Sequence, residues 1–369
     1  MIHIHSDFEG GAIRVIKADS AEDIQLEIDK DNQACARQWF YFAVESDSPA
    51  LQTVRLLNAA DVSFTGAWEG YQAFASYDQE NWFRVNTTFA DGELRLTQDV
   101  AHRTIYYAYF VPYLAARHEQ LITSLQSSLP ISKEVLGKTV QGRDIELLRF
   151  GDGHPNNKKL WIIARQHPGE TMAQWVMEGL IQELAERYAG EEDSVSGVSF
   201  YLVANMNPDG AALGNHRTNA SGADLNRQWA SSEHSQCPEV MWVRQAMTKI
   251  GVDGFVDLHG DEAIPHNFIM VEDGHPQGEQ VKQVLARLDS NFQTQYDYAS
   301  QKRGCGASTC GSKCGQQTAT QFVSKQFGVP SLLLEAAFKP ILKAGQLARW
   351  DHEECIQLGK HLASALNVL

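Results

Sequence analysis

The sequence predicts an α/β protein: a mixed, mostly parallel sheet covered by helices on both faces, preceded by an all-β sandwich. Three observations carry this. Residues 1–118 hold short alternating or aromatic runs broken by Gly, Asp, Asn and Ser, with hardly any helical period. From residue 119 onward, fully apolar runs alternate with helix-like segments, the pattern of strands buried on both faces. At 369 residues the chain has room for both units, and 43% hydrophobic residues with eight Trp and sixteen Phe exclude disorder.

The strands of the first unit lie in "IRVIKA", "QWFYFAVES", "NWFRVNTTF" and "RTIYYAYFVPY", short runs separated by turn residues, as a sandwich requires. The segment "LAARHEQLITSLQSS" changes to a helical texture and reads as the hinge. Next, "SKEVLGKTVQGRDIELLRFG" reads as a hairpin around "VQGRD". The strand "KLWIIA", a helix from Thr171 to about Tyr188, and the strand "VSFYLVANM" follow. A helix through "PEVMWVRQAMTKI", the strands "GFVDLHG" and "NFIMV", the helix "GEQVKQVLARLDSNF", the strand "PSLLLEA" and a closing helix complete the chain. "NPDG" reads as a turn and nothing more.

Composition narrows the partners. A formal net charge of -15 with no basic stripe argues against nucleic acid and anionic membranes. "MIHIHSDFEGG" lacks the basic and apolar regions of a signal peptide, and no apolar run is long enough for a membrane span, so the expected location is the cytoplasm. Six cysteines are too sparse for a disulfide scaffold. Cys35, Cys237 and Cys355 stand alone in sequence, and Cys305, Cys310 and Cys314 read as thiols on a Gly-rich surface loop, without the fourth partner of a zinc site.

Ligands of open α/β sheets gather beyond the carboxyl ends of the strands, so the polar residues there carry the weight. "KLWIIA" is followed by His167 and Glu170, and "VSFYLVANM" by "GNHRTNASGADLNRQW". "GFVDLHG" carries His259, and "PSLLLEAAF" carries Glu335. Two imidazoles and a carboxylate are a ligand set of hydrolytic zinc, with a fourth position left for water. Such a centre needs a base for the water's proton, and Glu335 is the carboxylate left over. Arg217 and Arg227 flank an Asn- and Gly-rich loop. In an acidic chain, two such guanidiniums imply an anionic substrate end or an oxyanion in the transition state. Singly, each residue has an ordinary reading: a carboxylate at a helix start, a structural histidine, a surface ion pair, or turn caps at Asp224 and Asn226. Only the joint arrangement argues for chemistry. His3, His5, His216 and His275 keep the ordinary reading.

With "HPGE", "NPDG", "DLNRQW", "DLHG" and "LLLEAAF" in this order, the chain resembles the zinc carboxypeptidase family, and within it the cytosolic carboxypeptidase branch. "QWFYF" and "YYAYFVPY" resemble the β-sandwich domain that precedes the catalytic domain there. The resemblance covers nearly the whole chain and implies a sandwich domain over 1–118 and a catalytic domain over 119–369. It implies one zinc ion (Zn2+) per chain, held by His167, Glu170 and His259, with Glu335 as general base. Arg217 is then the residue that polarises the scissile carbonyl, Asn226 and Arg227 grip the substrate's free carboxylate, and Asp224 hydrogen-bonds the second nitrogen of His167. The implied activity is removal of the C-terminal residue from a peptide or protein.

Two departures matter. Digestive members carry a mobile tyrosine upstream of the catalytic glutamate, where this chain has "GASTCGSKCGQQTATQF" and no tyrosine. Members that remove glutamates carry a basic residue ahead of the catalytic strand; Thr320 stands there, with Lys313 and Lys325 as neighbouring bases that could substitute. Removal of glutamate, a deglutamylase-like activity, therefore stays open beside other side-chain preferences. Two rivals stay open at this point: a zinc N-deacylase of the same fold, and a peptide-binding module that has lost catalysis.

Overall fold

The first unit is all-β in the computed structural model, which describes residues 2–127, 129, 131–190, 197–231, 235–298, 300, 316–343 and 345–369. Its strands are β1 (Ile2–His5), β2 (Arg14–Lys17), β3 (Ile24–Glu27), β4 (Tyr41–Ser46), β5 (Ala50–Leu56), β6 (Phe74–Ser76), β7 (Trp82–Arg84), β8 (Asn86–Ala90), β9 (Glu93–Val100) and β10 (Thr104–Ala108). They form two five-stranded sheets, β1-β4-β10-β6-β7 and β2-β3-β5-β9-β8, antiparallel except between β3 and β5. Ile24 and Leu26 of β3 are buried while Gln25 and Glu27 are half-exposed, the two-residue period of a sheet with one covered face. Helix α1 (Ala115–Gln126) follows at the expected hinge, and the division between residues 118 and 119 falls inside it.

The second unit contains β11 (Ser132–Lys138), β12 (Asp144–Phe150), β13 (Lys158–Ala164), β14 (Val198–Val203), β15 (Gly254–Asp261), β16 (Phe268–Val271) and β17 (Ser331–Ala337). These build one sheet ordered β11-β12-β14-β13-β15-β17-β16. The four central strands run parallel, and antiparallel β12 and β16 flank them. All eight residues of β15 are buried, the signature of a strand covered on both faces. Helices α2 (Thr171–Ala189), α3 (Pro208–Leu213), α4 (Pro238–Ile250), α5 (Pro276–Leu288), α6 (Ala319–Phe327) and α7 (His352–Ala365) connect the strands, with a small hairpin of β18 (Ile341–Lys343) and β19 (Gln346–Ala348).

One face of the sheet packs on α4 and α6 around Trp161 and Trp229. The other packs on α2, α5 and α7, and there the apolar cluster runs without a break into the sandwich, joining Val176 and Leu180 to Phe40, Phe42 and Tyr107. Tyr109 stacks on Phe338 across the two units, ring centroids 4.7 Å apart. Helices α2 and α7 touch backbone to backbone. A Cβ on Gly179 would lie 1.9 Å from the Ile356 carbonyl oxygen, and one on Gly359 would lie 1.9 Å from that of Val176. No larger residue fits either place without separating the helices.

The structure corrects the sequence reading at "NPDG" and adds to it at Cys35. "NPDG" is more than a turn: Asn207 Oδ1 accepts from Gly210 N at 3.0 Å and Pro208 opens α3, so the tetrapeptide starts a helix. Its Asp209 is fully buried and accepts from Thr139 Oγ1, Gln141 N and Arg143 Nη1, each at 2.8 Å. Cys35, isolated in sequence, is disulfide-bonded, whereas Cys237 and Cys355 are buried and take part in no disulfide. Cys305, Cys310, Cys314 and Lys313 lie outside the described residues. Among the described residues, no helix is long and apolar enough to cross a membrane.

Glu239, in the first turn of α4, is fully buried and accepts from Asn219 Nδ2 at 3.2 Å. Burial pushes its carboxyl up from 4.5 to about 7. Because the folded value lies above the unfolded one, the stability this group contributes is present below pH 4.5 and lost as pH rises through 7. Scanning calorimetry of Glu239→Gln is expected to show a Tm gain over wild type of about 2–5 °C at pH 8 and none at pH 4.5.

Candidate metal centre and active site

The chain leaves β13 through Arg165, whose φ of 59° is left-handed. The conformation is held from outside. The buried Arg165 guanidinium donates to the carbonyls of Pro168 (2.9 Å) and Tyr113 (2.7 Å) and to Gln174 Oε1 (2.6 Å). Gly169 lies beneath His216, where a Cβ would come 2.4 Å from Nδ1. Glu170 therefore arrives at the N-cap position of α2, yet its side chain makes no capping bond. It turns to the sheet instead. Oε1 lies 2.6 Å from His167 Nδ1 and Oε2 lies 2.8 Å from His259 Nδ1, with Gly260 N donating to Oε2 at 3.1 Å.

The two Nδ1 atoms face each other at 3.1 Å, and the candidate ligand atoms of His167, Glu170 and His259 all lie within 4.8 Å of one another. Burial alone would raise the carboxyl of Glu170, but the two imidazoles outweigh it and hold it below the usual carboxylate range. At His259, burial works against the charge, while Asp257 and Glu170 push its pKa well above the ordinary value. Two nitrogens and a carboxylate converging in a dry site favour a cation between them, and this donor set suits zinc. The group fits the metal that the sequence implies.

Both imidazoles are braced from behind. His167 Nε2 is 3.1 Å from Asp224 Oδ1, and His259 Nε2 is 2.9 Å from Asp257 Oδ2. With Nε2–H donated to a carboxylate, each ring presents Nδ1 as its lone pair. Asp257 also accepts from Gln166 Nε2 at 2.7 Å, and Gln166 Oε1 accepts from Trp229 Nε1 at 2.8 Å. Asp224 also holds an arginine. Its Oδ2 accepts from Arg217 Nε at 3.0 Å, so one carboxylate aims both an imidazole and a guanidinium.

The register of β15 on β17 pairs His259 with Glu335. Glu335 is 5% exposed; its Oε1 accepts from the Tyr298 hydroxyl at 2.7 Å, and its Oε2 is buried without a partner among the described residues. Burial, above all, pushes this carboxyl well above the ordinary range. For Arg217, burial opposes the charge, but Asp224, Glu170 and Glu262 keep it protonated. Asn226 sits in the turn Leu225–Arg227, its Oδ1 accepting from Ala319 N at 2.9 Å and its Nδ2 3.2 Å from His259 Nε2. Arg227 Nη1 donates to the Asn226 carbonyl at 2.9 Å, and among the described residues Arg227 makes no ion pair.

The sequence reading thus finds His167, Glu170, His259, Asp224, Arg217, Asn226 and Glu335 drawn together, with Arg227 beside Asn226. Thr320 is buried at the start of α6 and donates to Glu272 Oε1 at 2.7 Å, while Lys325 lies in the last turn of that helix. Sequence reasoning missed Asp257, Tyr298 and the buried pair of His216 Nε2 with Glu262 Oε1 at 2.7 Å. Asp257 was findable: two residues before His259 on one strand, it must share that residue's face. Tyr298 carried no signal, lying 37 residues from its partner.

If Asp257 fixes the tautomer of His259, Asp257→Asn weakens zinc binding about 10–100-fold. Competition with a chromophoric chelator measures this, and an unchanged affinity would remove Asp257 from the centre.

Comparison with known proteins adds an independent line. Residues 4–110 match the cytosolic carboxypeptidase N-terminal domain, and residues 118–356 match the zinc carboxypeptidase family. A protein of Zymomonas mobilis is 36% identical over 99% of this chain and 96% of its own length. The metallo-carboxypeptidase from Pseudomonas aeruginosa, solved in complex with (2-guanidinoethylmercapto)succinic acid, is 37% identical. It superposes with a TM-score of 0.89 over 100% of this chain and 98% of its own. Human cytosolic carboxypeptidase 1 is 26% identical over 65% of this chain, which spans 23% of that protein's length. With both units matched in order, the chain belongs to the zinc carboxypeptidase family and is a peptidase hydrolase.

Proposed function

We propose that this chain removes C-terminal residues from peptides or proteins at one zinc ion held by His167 Nδ1, Glu170 and His259 Nδ1. The observation that carries the reading is Glu335 Oε2: a buried, unpartnered carboxylate oxygen on the strand beside His259. When bound, zinc supplies Lewis acidity to a water and to the scissile carbonyl. Glu335, made more basic by burial, takes a proton on Oε2 and returns it to the leaving amine, while Tyr298 holds Oε1 and so fixes the rotamer. Arg217, tied through Nε to Asp224, keeps its terminal nitrogens for the oxyanion. Arg227 and the free N–H of Asn226 take the substrate's terminal carboxylate. A two-domain division at 118/119 and a cytoplasmic location complete the proposal.

The side-chain preference follows from Glu272. Ala319 N binds Asn226 and the adjacent Thr320 binds Glu272, so the start of α6 links an acid to the proposed carboxylate grip. Removal of glutamate calls for a base there. We therefore assign the site to substrates ending in a basic or neutral residue. The guanidinium arm of the ligand bound by the Pseudomonas aeruginosa relative supports this charge sign.

Glu335→Gln is expected to lower kcat about 10²–10⁴-fold with zinc content unchanged. Retained turnover would refute the base assignment, and faster turnover of N-acylated amino acids than of peptides by the wild type would replace the peptidase with the deacylase. In a peptide set varied at the last residue, Glu272→Lys is expected to shift the kcat/KM ratio from Lys-ended toward Glu-ended peptides by about tenfold or more. Mass spectrometry of the products reads the ratio, and no shift removes Glu272 from specificity.

A further inference from the structure

The sandwich reaches into the site through one carboxylate. Asp31, 5% exposed, lies in the segment between β3 and β4. Its Oδ1 accepts from His216 N at 2.7 Å, and its Oδ2 accepts from Arg217 N at 2.8 Å, Thr218 N at 2.8 Å and Thr218 Oγ1 at 3.0 Å. No lysine or arginine pairs with it among the described residues. All four donors come from one tripeptide, and that tripeptide carries Arg217. The segment itself is braced: Asp31 N donates to the Ala36 carbonyl at 2.8 Å and Gln33 has a left-handed φ of 55°.

We propose that Asp31 is a positioning residue for the reaction, holding the peptide groups of residues 216–218 so that Arg217 meets the scissile carbonyl. This rests on the oxyanion role given to Arg217 above. Arg217 then has two fixed points: its own backbone N–H on Asp31, and its Nε on Asp224. With only the second, the side chain could pivot about Asp224, and displacements near 1 Å in such a group cost about 10²-fold in rate. A carboxylate suits this place because three convergent peptide N–H groups form a local positive field that only an anion matches.

Plain domain docking would give Asp31 the same bonds, but the sandwich has other links to this loop. Asn32 N donates to Asn215 Oδ1 at 3.0 Å, Asn32 Nδ2 to the Ala220 carbonyl at 2.7 Å, and Gln33 Nε2 to the same carbonyl at 3.1 Å. Docking and positioning can therefore be separated by mutation. Asn32→Ala cuts a docking link and leaves the donors on Asp31 intact, so its kcat stays at the wild-type value. Asp31→Asn puts an amide N–H against peptide N–H groups and is expected to lower kcat about 10–100-fold, with KM changed less than about threefold and zinc content unchanged.

The decisive measurement is a double-mutant cycle on kcat with the zinc-loaded full chain. In an Arg217→Ala background, Asp31→Asn is expected to cost nothing further, because the group it aims is gone. If the loss is as large there as in wild type, or if Asn32→Ala loses as much as Asp31→Asn, Asp31 is a docking residue and the inference fails alone. If Arg217→Ala keeps full kcat, the oxyanion assignment fails first and takes this inference with it. Should Asp31→Asn not fold, Thr218→Val removes a single donor at nearly constant volume. It is expected to lower kcat a few-fold in wild type and not at all beside Arg217→Ala; an unchanged kcat in wild type overturns the proposal.

Discussion

The carboxylate of Glu170, set between two imidazole nitrogens, is the constraint on which the rest of the molecule depends. Two lone pairs and an anion packed together away from water repel one another unless a cation or protons neutralise them, and burial makes either arrangement costly without help from further groups. The chain accepts local costs to build the cluster. A left-handed arginine starts the turn, a glycine slides under a histidine where no side chain fits, and a helix forgoes its N-terminal cap so that the capping residue can point at the sheet. The first of these is offset in part by contacts outside the turn, to Tyr113 and Gln174. The buried Arg165 guanidinium reaches Tyr113 near the end of the sandwich, so the geometry of the centre is determined partly by residues far from it in sequence.

Around that cluster, carboxylates divide the work by what they face. Asp257 faces an amide and an imidazole on Oδ2 and serves one ring. Asp224 faces an imidazole on one oxygen and a guanidinium on the other, so a shift of the metal-side histidine and a shift of the arginine are mechanically linked. Glu335 keeps one oxygen on a phenol and one uncommitted. Asp257 Oδ1 is likewise buried without a partner among the described residues, so a spare oxygen does not by itself separate a base from a brace. Asp257 is tied to the outer nitrogen of His259, whereas Glu335 is not tied to either imidazole.

Much of this was legible from sequence. Apolar runs followed by His, Glu or Asn gave the strands and the residues at their ends, because a parallel sheet buried on both faces leaves a strong hydrophobic trace and one functional edge. What stayed hidden was of two kinds. Local rules were misapplied at "NPDG", where an Asn cap and a Pro at the first helical position signal a helix start as well as a reversal. Long-range partners were invisible in principle: Asp31 meets residues 216–218, and Tyr298 meets Glu335, through tertiary folding that leaves no spacing to read.

The shared apolar interior has a consequence for how the molecule is made. Tyr109 and Phe110 of the sandwich lie against Phe338, a residue more than two hundred positions later in the sequence. A ribosome delivers the aromatic sandwich well before its cover, so in the interval the nascent sandwich carries a bare oily face. Such a face is an invitation to premature association, and a cell making this protein quickly has reason to shield the emerging half with a chaperone until residues 331–369 emerge.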